Sequence, residues 1–341
     1  DEARSGNGNI EQPFFLYMAY NAPHWPLHAH PEDIAKYEGV YDLGYDAIRK
    51  ARYERQLDLG LFDARTAPLS EPEAPGVSEW STMSDEDQRK ESTRMAIHAA
   101  MVDRVDQNVG RLLGKLKQME EFENTLILFL VDNGASAERP KPKGAPPEPW
   151  GSVGTFEAIG KNWANVADTP LRFWKMTSHE GGINTPMIAH WPAGVSKELQ
   201  GRFSRDPCHL IDIRPTCMEL AGDRATYPGE SSLTDIPAVD GISFTPSFAG
   251  EKLDRSRPLF FQFGSGKAVH DGDWKIVRRK DDPWELYDLS TNRTETRDLA
   301  SQYPERVTAM ETDWREWYLQ CTGGAYREPV KKSPKKQDAR K

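Results

Sequence analysis

Two apolar runs separated by a long helical pattern do most to limit what this chain can fold into. The first, "PFFLYMAY" (residues 13–20), is bounded by Pro13 and Pro23. It is too short and too aromatic for a helix, so it reads as a buried strand. From Ser84, a residue suited to an N-cap, the apolar positions Met95, Ala99, Val102, Val105, Val109, Leu112, Leu116 and Met119 recur every three or four residues. That period predicts one helix to about Met119 with these residues on its buried face. The second run lies in "FENTLILFLVDNG" and predicts a strand from Thr125 to Val131. Unbroken apolar strands are buried on both faces, and a helix between two of them predicts an α/β fold with a mostly parallel central sheet flanked by helices.

Elsewhere, residues 30–62 read as short helices broken at glycines, and 64–83, rich in Pro, Ser and Glu, as a surface loop. The segment 134–174 is rich in Pro, Gly and aromatics and too long for a simple connector, which suits a functional loop. "TPMIAHWP" (185–192) predicts another buried strand, and "CHLIDIRPTCMELAG" (208–222) a helix ended by Gly222. After about residue 250 the pattern changes to short strands. "KAVHDGDWKIVRR" is a hairpin signal with Asp271–Gly272 at its turn. "PWELYDLSTN" adds a strand and turn, and a helix follows Pro304. The expected division is an α/β core over 1–250, a small antiparallel sheet with one helix over 251–325, and a basic, disordered tail over 326–341.

A length of 341 residues allows one large core, and a net charge of -9 argues against a general nucleic-acid binder. No apolar run approaches the ~20 residues of a membrane span. Cys208, Cys217 and Cys321 lack C-x-x-C spacing, and His28 and His30 find no further His/Cys partner, so zinc is not expected.

In open α/β sheets, ligands bind at the carboxyl ends of strands. The first expected strand leads to "NAPHWPL", where prolines fix the backbone around His24 and hold its imidazole in one direction. The second leads to "VDNG", where Asp132 and Asn133 offer hard oxygen donors that suit Ca²⁺ or Mg²⁺ better than zinc. A third candidate is Lys175 in "FWKMTSHEGGINTP", an ammonium beside a Gly181–Gly182 pair. Taken alone, each has a plainer reading: a structural loop histidine, a turn, a solvated lysine.

Together these blocks, with "MVDRVDQNVGRLL", "HLIDIRPT", "AVHDGDWKIV" and "WELYDL" in this order, resemble the type I sulfatases of the alkaline phosphatase superfamily, closest to arylsulfatase-like members. The resemblance runs from about Pro13 to Tyr318. It implies an alkaline phosphatase-like fold, incomplete at the N-terminus, and hydrolysis of a small-molecule or carbohydrate sulfate ester. It implies that Asp132 and Asn133 ligate a divalent cation, Ca²⁺ rather than Mg²⁺. His24 would contact the sulfate and leaving oxygen, Lys175 would bind the sulfate and share proton donation, and His179 would be a further substrate-binding residue. By analogy with exported relatives, the location would be periplasmic or secreted.

The nucleophile side of such a site is not found. The family makes formylglycine from a C/S-x-P/A-x-R motif, but the cysteines here stand in "CHLID", "CMELA" and "CTGGA", and "SEPEA" at Ser70 lacks the arginine. No Asp-Asp pair follows an early strand; Asp281–Asp282 lies in the expected C-terminal sheet. With the polar opening "DEARSGNGNIEQ", this leads us to expect the C-terminal part of a longer protein, inactive alone, with the formylglycine upstream. The alternatives are a phosphate or phosphonate ester hydrolase of the same superfamily, or a non-catalytic binding remnant.

Overall fold

The computed structural model describes residues 13–72, 79–140, 150–222 and 240–324. The opening segment, the basic tail, and residues 73–78 and 141–149 of the two expected loops lie outside the described residues.

The helices are α1 (Pro31–Ile34), α2 (Gly44–Asp58), α3 (Asp85–Gln118), α4 (Gly160–Ala167), α5 (Glu180–Ile183), α6 (Ile213–Leu220) and α7 (Pro304–Thr322). Ser84 caps α3 by accepting the Asp87 N–H, with Asp85, Glu86 and Asp87 in the first turn where the helix dipole favours acid. Of the expected buried face, Leu116 is buried and Met95 packs on the core, but around residue 100 the face is rotated. Ala96, Ile97, Ala100 and Met101 are buried, whereas Val102 is exposed. Apolar residues occupy two neighbouring stripes of α3, and packing against Leu27, Tyr45, Ile159 and Trp163 selects one of them.

Strands β1 (Ile127–Leu130) and β2 (Met187–His190) pair antiparallel, Leu128 opposite Ala189 and Phe129 opposite Ile188. No parallel pair occurs among the described residues. The parallel expectation rested on a strand at 13–20, and there the structure differs: those residues carry no strand, and Phe15 and Tyr17 are 80% and 79% exposed. An extended apolar run becomes a strand only where a neighbouring strand pairs with its N–H and C=O groups, and none of the described strands pairs with this run.

Strands β3 (Leu259–Phe263), β4 (Gly266–Asp271), β5 (Trp274–Arg278) and β6 (Glu285–Asp288) form an antiparallel meander, as the hairpin signals indicated. Asp271 pairs with Trp274, so the turn residues are Gly272 and Asp273, one position later than expected. Gly272 takes the left-handed φ of +57° that favours glycine. Helix α7 covers this sheet, with Met310 and Trp314 packed on Val269, Ile276 and Leu286.

Candidate active site

Three loops converge. The first, 21–28, is tied to the stretch 155–157: Leu27 N–H donates to Glu157 O at 3.0 Å, and His28 Nε2–H to Thr155 O at 2.9 Å. Leu27 is buried in the main core, so its neighbour His24 is held at the surface by an anchored backbone. His28 is therefore a structural histidine, and His30 is an exposed residue at the start of α1.

The second loop leaves β1. Gly134 N–H donates to Gly182 O at 3.1 Å, and a Cβ on Gly134 would lie 1.8 Å from Gly181 O. Only glycine fits this approach, which gives "DNG" a packing reason beyond turn formation. Ala135 N–H then donates to both carboxyl oxygens of Asp168 at 2.9 and 3.1 Å. Burial pushes the Asp168 carboxyl up to about 8, opposed by the Ala135 N–H and the Arg52 charge.

The third segment, 172–184, carries Lys175, whose N–H donates to Ala135 O at 3.1 Å. Lys175 lies between two residues with left-handed backbones, Phe173 (φ +61°) and Met176 (φ +75°). Such conformations cost roughly 1–3 kcal/mol each for non-glycine residues and gather at functional sites. A Cβ on Gly181 would meet Arg172 O at 2.3 Å, and one on Gly182 would meet Thr177 O at 2.2 Å, so the glycine pair lets this segment fold back on itself.

These loops bring His24 and Lys175 together, with Nζ 3.2 Å from Nε2. His24 Nδ1 lies 2.8 Å from Trp25 O. A carbonyl can only accept, so Nδ1 carries a proton; an ammonium can only donate, so Nε2 accepts from Lys175 in the neutral ring. Beside the pair lies an open pocket lined by Ser136, Glu138, Lys161, Trp174, Lys175 and Thr177. Trp25 Nε1–H donates to Glu138 at 2.9 Å, fixing that carboxylate at the rim.

Asp132 is exposed and Asn133 half-buried, three and two residues respectively from the Ala135 carbonyl that holds Lys175. Asn133 Nδ2–H donates to Gly134 O at 3.0 Å, which leaves Oδ1 as its donor atom for a cation. The carboxylate oxygens of Asp132 and Oδ1 of Asn133 are hard donors that suit a divalent cation, but Ca²⁺ takes six to eight oxygens. No group of three metal-ligating His, Cys, Asp or Glu side chains occurs among the described residues. Asp132 and Asn133 are thus too few by themselves to fill such a shell.

His179 is not at the His24–Lys175 pair. It is 1% exposed, with Nε2–H donating to Glu285 on β6 at 2.8 Å and its ring packed against Phe173. Sequence reasoning missed Asp168, Glu138 and Lys161, since lone acidic and basic residues at these separations carry no motif. Trp25 was signalled only by its place beside His24.

The overall fold is of the alkaline phosphatase-like kind. The crystal structure of Ps i-CgsB superposes with a TM-score of 0.59 at 23% identity, over 94% of this chain and 53% of that one. The sulfatase family model matches residues 2–223, and the chain belongs to the sulfatase family. It is 31% identical over 327 residues to an uncharacterised sulfatase of Schizosaccharomyces pombe, covering 90% of this chain and 58% of that protein. It is 34% identical over 258 residues to an arylsulfatase of Klebsiella aerogenes, covering 72% of this chain and 53% of that protein. The chain therefore spans a little over half the length of these relatives.

Proposed function

We propose that the protein to which these residues belong hydrolyses a sulfate ester of a carbohydrate or aryl alcohol, and that His24 and Lys175 act on the sulfate. The observation that carries this reading is the 3.2 Å contact between Lys175 Nζ and His24 Nε2 at the mouth of the pocket. A sulfuryl group spreads negative charge over its oxygens, and an ammonium held in a fixed position stabilises that charge as it shifts in the transition state. With Nδ1–H committed to Trp25 O, Nε2 is the nitrogen that handles the reaction's proton. The Lys175 ammonium, hydrogen-bonded to Nε2, supplies the proton that the ring passes to the leaving alcohol oxygen as the S–O bond breaks and the sulfuryl group goes to the nucleophile. A divalent cation, Ca²⁺ in preference to Mg²⁺, would be held on this chain by Asp132 and Asn133 and would add positive charge against the sulfate oxygens. The pocket between Lys161 and Lys175 would take the alcohol. We assign the nucleophile, a formylglycine, to residues other than those described.

The test is a paired assay of the full-length protein on an aryl sulfate and the matching phosphate ester. Sulfate turnover that falls about 10²–10³-fold in Lys175→Ala is expected, the scale of losing one transition-state donor. Asp132→Ala should lower bound metal together with activity. Preferential phosphate turnover would overturn the assignment in favour of a phosphate or phosphonate ester hydrolase. Activity surviving Asp132→Ala with metal content intact would remove the ligand assignment.

A further inference from the structure

We infer that Lys275, Glu285 and Glu295, from the C-terminal sheet and the loop after it, are positioning residues that hold the Lys175 segment from both ends. This rests on the sulfate-ester reading only for what Lys175 does. At the leading end, Arg172 donates through one guanidinium nitrogen to Tyr287 OH at 2.8 Å, Glu295 O at 2.8 Å and Glu285 at 3.3 Å. At the trailing end, His179 donates to Glu285 at 2.8 Å. Glu180 N–H donates to Glu295 Oε2 at 2.8 Å, and the Glu180 carboxylate lies 2.5 Å from Lys275 Nζ. Lys275 also meets Glu295 Oε1 at 2.8 Å.

Lys275 and Glu295 are fully buried, as Glu180 nearly is. A buried lysine without partners would lose its proton, but Glu180 and Glu295 outweigh burial and hold Lys275 above its ordinary value. Burial likewise disfavours the Glu180 carboxylate, and Lys275 outweighs it, so this group lies below its ordinary value. The triad is charged and directional: both oxygens of Glu180 are hydrogen-bonded, to Lys275 and Asn184, and Glu295 Oε2 accepts the Glu180 N–H, while Glu295 Oε1 meets Lys275 as an ion pair without hydrogen-bond geometry. An apolar contact would bind the two parts as firmly without fixing an angle. Charged hydrogen bonds fix one. Between the two clamps lie the left-handed Phe173 and Met176, a backbone that persists only where its surroundings over-determine it.

The experiment compares full-length Lys275→Met, Glu285→Gln and Met310→Ala with the unmodified protein, at a temperature where melting curves show all to be folded. Glu285 is partly exposed, so its glutamine variant tests the inference even should Lys275→Met fail to fold. Amide hydrogen exchange at residues 173–178 should speed up about tenfold or more in Lys275→Met and Glu285→Gln. The aryl-sulfate kcat should fall about tenfold with a smaller change in KM, the pattern of a misplaced transition-state group. Met310→Ala weakens the same C-terminal core and should lower the melting temperature while leaving exchange at 173–178 and kcat as before. Unchanged exchange in the folded Lys275 or Glu285 variant would overturn the inference, as would equal effects from Met310→Ala. Should the unmodified protein turn over no sulfate ester, the functional reading fails while the exchange measurement still decides the positioning role.

Discussion

The sheet of β3 to β6 and the sheet of β1 and β2 are both antiparallel, yet one is closed and the other open. Over the first, α7 lays Trp314, 1% exposed, onto Val269, Ile276 and Leu286. Over the second, Leu128 and Ala189 pack inward toward Phe244 and Phe248, while Phe129 and Ile188 on the opposite face are 44% and 60% exposed. The exposed apolar run 13–20 is a further part of the same character. The closed sheet has a local cover, because α7 follows it within a few turns of chain. The open one takes its inner cover from Phe244 and Phe248, more than fifty residues beyond β2 in sequence, and its outer face has none among the described residues.

The largest effect that would test this contrast comes from the closed sheet. Trp314→Ala should lower the stability of the chain by about 3–5 kcal/mol in denaturant unfolding, the cost of emptying a packed aromatic site. A loss near that of a surface substitution would mean that α7 does not close this sheet. An intermediate effect is set by pH. Burial raises the Glu285 carboxyl, but hydrogen bonds from His179 and Tyr287 and the Arg172 charge outweigh it and bring it to about 2 from an ordinary 4.5. The unfolded chain therefore binds this proton first, and the stabilisation present above pH 4.5 is lost as pH falls toward 2. Melting temperatures between these limits should drop more steeply in the unmodified chain than in Glu285→Gln. The smallest effect belongs to the open sheet. Phe129→Ser with Ile188→Thr should change stability by no more than about 0.5 kcal/mol each but reduce self-association of the isolated chain, measured by light scattering. A loss comparable to Trp314→Ala would show that the outer face is covered after all.

Much of the candidate site was legible in the sequence. His24, Asp132, Asn133 and Lys175 stand in short motifs whose neighbours, prolines and glycines, do identifiable geometric work. The structure joins His24 to Lys175 directly and brings the Asp132–Asn133 turn to the same segment through Ala135 O. His179, from the same motif as Lys175, instead turns into the junction with β6, because only the three-dimensional position of Glu285 decides where a histidine next to a glycine pair points. The clamp of Lys275, Glu180 and Glu295 was invisible for the same reason: its members are lone charges in unrelated parts of the chain.

Local features were determined by the sequence alone. The N-cap at Ser84, the short strands around residues 127–130 and 187–190, the C-terminal meander and its helix all follow from periodicity, capping and turn chemistry, which act over a few residues. The tertiary structure decided what those rules do not reach. It chose the buried stripe of α3, the antiparallel pairing of β1 with β2 and the absence of a strand at 13–20 among the described residues. Each depends on which distant backbone or side chain supplies the missing hydrogen bond or covers the apolar face, and that partner is set by the whole fold.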